Sequence, residues 1–249
     1  MMKKFALFLI LLLSFPCLNI FAQQPTYVIV HGAWGGSWQF KNTANELEKL
    51  GSKVYRVNLT GLGERYHLAN ADINLSTHIK DVVNTILFER LDSVILIGHS
   101  YGGMVVTGVA DSIPEKLKKV IYLDAFLPEN GESVAAYVEG SPTADIISSP
   151  DGEYVFPSWV KDTTAFPRDV PHPLASIKES IVLKNSKRLE IPSTYILTFD
   201  PKNGVGKDDF YFFSTRAKKY NWKVIEMEAD HNPQINKLDE LVKILNNEK

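Results

Sequence analysis

The sequence predicts an α/β fold in which a mostly parallel sheet carries helices on both faces, and three observations predict it. Short apolar runs of strand length alternate with helix-length segments along most of the chain. One run, Val94-Ile95-Leu96-Ile97, ends on Gly98-His99-Ser100-Tyr101-Gly102 and passes directly into a helix-like stretch from Met104 to Ala110. The 249 residues are 45% apolar with a net charge of −2, which suits one large globular domain.

The elements follow in order. Residues 1–22 read as a secretory signal: Lys3-Lys4, the apolar run Phe5 to Leu13, and a short region ending Phe21-Ala22 before Gln23. That run is too short to span a bilayer, so export with cleavage after Ala22 and no stable membrane association is expected. Cys17 is the one cysteine of the sequence, and its loss with the leader excludes disulfides, cysteine nucleophiles and thiolate metal sites from residues 23–249. Lys and Arg are dispersed, so nothing points to nucleic acid.

Tyr27-Val28-Ile29-Val30-His31 reads as a buried strand, followed by the glycine-rich Gly32-Ala33-Trp34-Gly35-Gly36. The loop matches neither G-x-G-x-x-G nor a Walker ending, so no nucleotide cofactor is implied. Trp38 to Leu50 reads as a helix closed by Gly51, Val54 to Leu59 as a strand, and Thr60-Gly61-Leu62-Gly63-Glu64-Arg65 as a tight loop. Ser76 is the expected N-cap of a helix whose Ile79, Val82, Val83, Ile86 and Leu87 fall on one face. Val120 to Leu123 is a strand ending at Asp124.

From Leu127 to about Pro192 the alternation stops, and eight of the thirteen prolines lie there among aromatic residues. So long an aperiodic stretch is expected to be a cap over the carboxyl edge of the sheet. Alternation resumes with the strand Thr194 to Phe199, which ends at Asp200. A helix over Asp209 to Tyr220, a strand over Val224 to Met227 and a helix over Leu238 to Leu245 complete the chain.

The chemistry centres on Ser100. In G-x-S-x-G the serine sits on a sharp strand-to-helix turn with its hydroxyl exposed, but the hydroxyl needs a base and anion-stabilising N–H groups to act as a nucleophile. With these pieces assembled, the chain resembles the α/β-hydrolase superfamily, whose chain order is nucleophile, acid, histidine. His31-Gly32-Ala33-Trp34, Thr60 to Arg65 and Gly98 to Gly103 resemble more narrowly bacterial esterase-type members related to plant methylesterases and hydroxynitrile lyases.

That resemblance implies a largely parallel eight-stranded sheet and a triad of Ser100, Asp200 and His231, with the Ala33 and Tyr101 N–H groups facing the oxyanion. Family members place one more residue before the acid than Leu197-Thr198-Phe199-Asp200 allows, and Asp124, which also ends a strand, is the alternative acid. Asp208 and Asp209 read as helix-start residues. Of the other histidines, His99 and His31 are expected to be structural, and His67, His78 and His172 to be surface or cap residues.

The implied activity is hydrolysis of small to medium, fairly hydrophobic carboxylic esters through an acyl-enzyme, with no metal or cofactor. A hydroxynitrile-lyase-like activity and a non-catalytic ligand-binding role are the alternatives. Lyases of this group carry a lysine directly after the histidine, where this chain has Asn232.

Overall fold

The computed structural model describes residues 24–139 and 152–249; the expected leader at 1–22 with its expected cleavage after Ala22, and residues 140–151 of the expected cap, lie outside them. Six parallel strands form the central sheet. They are β1 (Thr26–Val30), β2 (Lys53–Val57), β3 (Val94–Ser100), β4 (Leu117–Ala125), β7 (Ser193–Phe199) and β8 (Lys223–Glu228), in the order β2-β1-β3-β4-β7-β8. The described sheet therefore has six strands where eight were expected. The first apolar run after Pro25 enters at β1, and β2 pairs with β1 on its outer side, closing the sheet at that edge.

The apolar runs become strands because both sheet faces are covered, as parallel sheets require. Alternate residues serve opposite faces. Val28, Val30 and Leu96 pack with Val82, Ile86, Val105 and Phe213 of helices α2 (Leu75–Phe88), α3 (Gly102–Ser112) and α6 (Tyr211–Lys219). Tyr27, Ile29, Ile95 and Ile97 pack on the other side with Leu47 of α1 (Lys41–Lys49) and Leu241 and Leu245 of α8 (Leu238–Asn247).

The described part of 127–192, the cap segment, is built from α4 (Val134–Val138), the antiparallel pair β5 (Tyr154–Val155) and β6 (His172–Pro173), and α5 (Leu174–Lys178). Charged contacts tie it down. Buried Arg216 of α6 grips Glu132 at 2.6 and 3.1 Å and the Leu127 carbonyl at 2.8 Å. Glu179 accepts from the Ser76 N–H and hydroxyl, both at 2.7 Å, so its carboxylate sits at the positive end of α2. Ser76 is thus a cap-holding residue, and the N-cap is Asn74, whose side chain accepts from Thr77 N–H at 2.9 Å.

Four histidines are buried near the carboxyl edge of the sheet: His31 after β1, His78 on α2, His99 on β3 and His172 on β6. His78 and His172, expected at the surface or in the cap, are both fully buried. Burial disfavours the imidazolium. It holds His31 and His78 down to about 4, His99 to about 3 and His172 well below the ordinary 6.5.

An unfolded chain therefore binds more protons than the folded one from about pH 6.5 down toward pH 4. Each ring removes up to about 1.4 kcal/mol of stability per pH unit across that window. Asp208, pushed up to about 6 by burial and by neighbouring Asp124, acts in the opposite sense and offsets about one of these protons below pH 6. The thermal midpoint should be flat above pH 7 and fall with increasing steepness from pH 6.5 to pH 5. A midpoint unchanged down to pH 5 would mean that these rings are protonated in place.

Candidate active site

Ser100 ends β3 with φ +53°, in the left-handed region that a non-glycine residue enters only under constraint. The constraint is the close approach of strand and helix around it. A Cβ on Gly98 would lie 2.6 Å from the Gly102 carbonyl oxygen and from Val106. A Cβ on Gly32 would lie 3.0 Å from that of Ser100, so any larger residue in the loop after β1 would crowd the serine.

That loop continues through Ala33 and Trp34, and both Ala33 and Tyr101 line the same cavity as Ser100. Among the described residues neither the Ala33 nor the Tyr101 backbone N–H donates a hydrogen bond, which leaves two donors free. Beneath them His31 fixes the turn: its Nδ1–H donates to the Gly32 carbonyl at 2.8 Å and its Nε2 accepts the Leu59 N–H at 3.2 Å.

His231 follows β8. The His99 Nε2–H donates to the His231 carbonyl at 2.8 Å, and the His231 ring stacks on Phe210 with centroids 4.9 Å apart and planes 9° apart. Its Nδ1 lies 2.6 Å from Asp124 Oδ2. The imidazole is partly open, with 38% of its side chain accessible, whereas the carboxylate is closed off at 1%.

The structure corrects the expected pairing. Asp200, one residue past β7, is exposed and turns back on its own loop, with Oδ1 accepting the Lys202 N–H at 2.9 Å and Oδ2 3.4 Å from the Asn203 amide. The chain has no slack between Phe199 and Pro201, and an Asx-type turn satisfies the carboxylate locally.

Asp124 takes the place beside His231 through a bulge. Opposite it the ladder steps from His99↔Leu123 to Ser100↔Ala125, so Asp124 is an extra residue with φ +42°. Its Oδ1 accepts the Thr198 N–H of β7 at 3.0 Å, just where β4–β7 pairing has ended at Leu123↔Ile196. The Tyr195 hydroxyl clamps the next residue, donating to the Ala125 carbonyl at 2.6 Å and lying 3.1 Å from its N–H.

Ser100, Asp124 and His231 thus meet at one cavity of about 280 Å³. Trp34, Phe126, Val138, Trp159, Ile177 and Phe210 give it an apolar wall, and Asp208 and Asp209 also border it. Asp208 accepts the Phe210 N–H at 2.8 Å beside the start of α6. Among the described residues no three His, Cys, Asp or Glu side chains gather as a metal ligand set, and no helix is long and apolar enough to cross a membrane.

Sequence reasoning missed the roles of two histidines. His78 Nε2–H donates to the Thr60 carbonyl at 3.0 Å, leaving Nδ1 to accept the Tyr101 hydroxyl at 2.8 Å. His172 Nδ1 accepts the Trp34 N–H at 3.2 Å.

Several known proteins resemble this chain over much of its length. A carbendazim hydrolyzing esterase of Nocardioides sp. (strain SG-4G) is 34% identical over 239 residues, covering 88% of this chain and 97% of that protein. An alpha-hydroxynitrile lyase of Arabidopsis thaliana is 32% identical over 104 residues, 41% of this chain and 40% of that one.

Among solved structures, an extracellular α/β-hydrolase from a Paenibacillus species superposes with a TM-score of 0.72 at 24% identity, over 89% of this chain and 97% of that one. It is described as sharing structural and functional homology with tobacco salicylic acid binding protein 2. Polyneuridine aldehyde esterase superposes at 0.70 with 21% identity, over 90% and 99% of the two chains. The family model of the alpha/beta hydrolases matches residues 27–244, and the chain belongs to that family.

Proposed function

We propose that the protein is a carboxylic ester hydrolase in which Ser100 is the nucleophile, His231 the base, Asp124 the acid, and the Ala33 and Tyr101 N–H groups the oxyanion hole. The observation that carries this reading is the 2.6 Å contact between His231 Nδ1 and a fully buried carboxylate, at a cavity that also holds Ser100. With Nδ1–H donated to Asp124, the basic Nε2 is left for the serine proton. Ser100 Oγ attacks the ester carbonyl, and the two free amides meet the developing charge; one such donor is worth roughly 2.7–4 kcal/mol of barrier. His231 then returns the proton to the leaving alcohol. Water repeats the sequence on the acyl-enzyme.

The cavity supports a small to medium, fairly hydrophobic ester. Its wall is aromatic and aliphatic, and the charged groups bordering it, Asp208 and Asp209, disfavour an anionic substrate. The carbendazim hydrolyzing esterase, similar over nearly its whole length, supports ester chemistry rather than cyanohydrin cleavage. So does Asn232, whose side-chain oxygen accepts from Gln234 at 3.1 Å and brings no cation beside His231. Residues 23–249 form the working unit, and residues 1–22 direct its export; the extracellular Paenibacillus hydrolase is consistent with that location.

Ser100→Ala should abolish turnover of p-nitrophenyl esters while leaving the thermal midpoint unchanged. A serine-directed phosphonate should label Ser100 and no other residue. Label on a different serine, or surviving turnover, refutes the nucleophile. Asp124→Asn should lower kcat by about 10⁴-fold, the cost of losing the correct imidazole tautomer, whereas Asp200→Asn should stay within about tenfold of the parent. The reverse result would give Asp200 the acid's role. Mass spectrometry of the protein exported by its host should give an amino terminus within a few residues of Gln23; retention of Met1 would contradict the leader.

A further inference from the structure

Trp34 follows the proposed oxyanion donor Ala33 and has φ +61°, a left-handed conformation that its bulky side chain does not favour. Three bonds hold it there, and all come from the cap. The Trp34 indole Nε1–H donates to the Val155 carbonyl at 2.9 Å, its carbonyl accepts the Val170 N–H at 2.8 Å, and its own N–H points to His172 Nδ1 at 3.2 Å. In the first two the cap's partner is a backbone group, which most side chains at 155 and 170 would preserve. The third depends on one side chain, in one tautomer.

That tautomer is fixed by proton counting. Ser176 Oγ–H donates to the Pro173 carbonyl at 2.8 Å, so at its 2.7 Å contact with His172 Nε2 the hydroxyl oxygen accepts and the imidazole carries the proton on Nε2. Nδ1 is then a lone pair aimed at the Trp34 N–H. The rings facing it are those of Tyr101, with centroids 4.9 Å apart, His78 at 5.9 Å and Trp34 at 6.1 Å; none supplies a negative charge that would draw a second proton onto it.

We propose that His172 is a positioning residue of the cap: by accepting the Trp34 N–H through a tautomer that Ser176 dictates, it holds the peptide after Ala33 so that the Ala33 N–H faces the oxyanion. Catalytic competence of the serine then depends on the cap being seated, although the cap contributes no group to the triad. This assignment rests on the ester-hydrolase reading for its kinetic consequence but not for the anchoring itself.

The test compares His172→Leu, which removes the acceptor, with His172→Asn, whose Oδ1 reaches the place of Nδ1. Each is measured on the full chain with p-nitrophenyl butyrate and by hydrogen exchange of the Trp34 amide. His172→Leu should lower kcat by about 10²-fold, the effect of losing one oxyanion donor, with KM changed by less than about threefold. His172→Asn should recover kcat to within about tenfold of the parent, and Trp34 exchange should be slow in the parent and in His172→Asn and fast in His172→Leu.

Equal kcat losses in both variants, or a His172→Leu variant with parental kcat, overturns the proposal. Should His172→Leu fail to fold, Ser176→Ala, which frees the tautomer, takes its place: lowered kcat with faster Trp34 exchange supports the anchor, and unchanged values of both overturn it. A parent that cleaves no ester removes the hydrolase reading alone. The anchor is then judged by Trp34 exchange, which would be alike in all variants if it is wrong.

Discussion

The short contact between Asp124 and His231 joins the end of a central strand to the loop after the sheet's edge strand, and the organisation of the site follows from it. A carboxylate with no accessible surface is stable only if its oxygens find donors. One oxygen faces the imidazole and the other accepts the Thr198 N–H, a donor that the ladder would have left open once β4 and β7 part. The bulge at Asp124 is therefore both cause and remedy: it breaks the pairing, and its side chain repairs the break. The strain at φ +42° is borne because Tyr195 holds Ala125 at both its N–H and its carbonyl.

The same economy of protons governs the histidines. Four rings are buried and kept neutral, so each presents one donor and one acceptor, and the partner of one nitrogen dictates what the other can do. His31 donates to the Gly32 carbonyl and accepts from Leu59; His78 donates to the Thr60 carbonyl and accepts from Tyr101; His172 is polarised by Ser176 toward Trp34. A lysine or glutamine could not give this directional pair of one donor and one acceptor within a rigid ring. Loops that carry free N–H groups beside Ser100 are thereby pinned by side chains rather than by sheet ladders, which suits a site whose backbone donors must be left unpaired.

The fold was legible because its signals are local or periodic. Val94 to Ile97 reads as a strand buried on both faces, and the glycines around Ser100 read as a tight turn, since Gly98 tolerates no Cβ against Gly102. The carboxylate that meets His231 was not legible in the same way. Asp124 and Asp200 both follow apolar runs, and what separates them is a one-residue register step between neighbouring strands, which a linear sequence does not display. The shortened link to Pro201 was the available hint that Asp200 could not reach the histidine. His78 and His172 escaped notice for a related reason: His172 lies in an aperiodic segment, and its partner Trp34 is 138 residues away. Asn74 and Ser76 are both good capping residues two positions apart, and only the cap's Glu179, drawn to Ser76, decides between them.

The cap is what turns an exposed serine into a site of low dielectric. Phe126, Val138, Trp159 and Ile177, all from the segment after β4, supply much of the cavity wall. In the proposed reaction, hydrogen bonds from backbone amides to a developing oxyanion strengthen as water is withdrawn, so this wall would raise the value of the two free N–H groups. Its seating depends on Arg216, whose guanidinium is buried beneath the cap and would lose its two-pronged carboxylate partner without Glu132. The cap, the loop after β1 and the sheet are consequently coupled: Arg216 and Ser76 hold the cap to the helices, the cap holds Trp34, and Trp34 adjoins Ala33. A change that loosened any of these attachments would reach the serine without touching it.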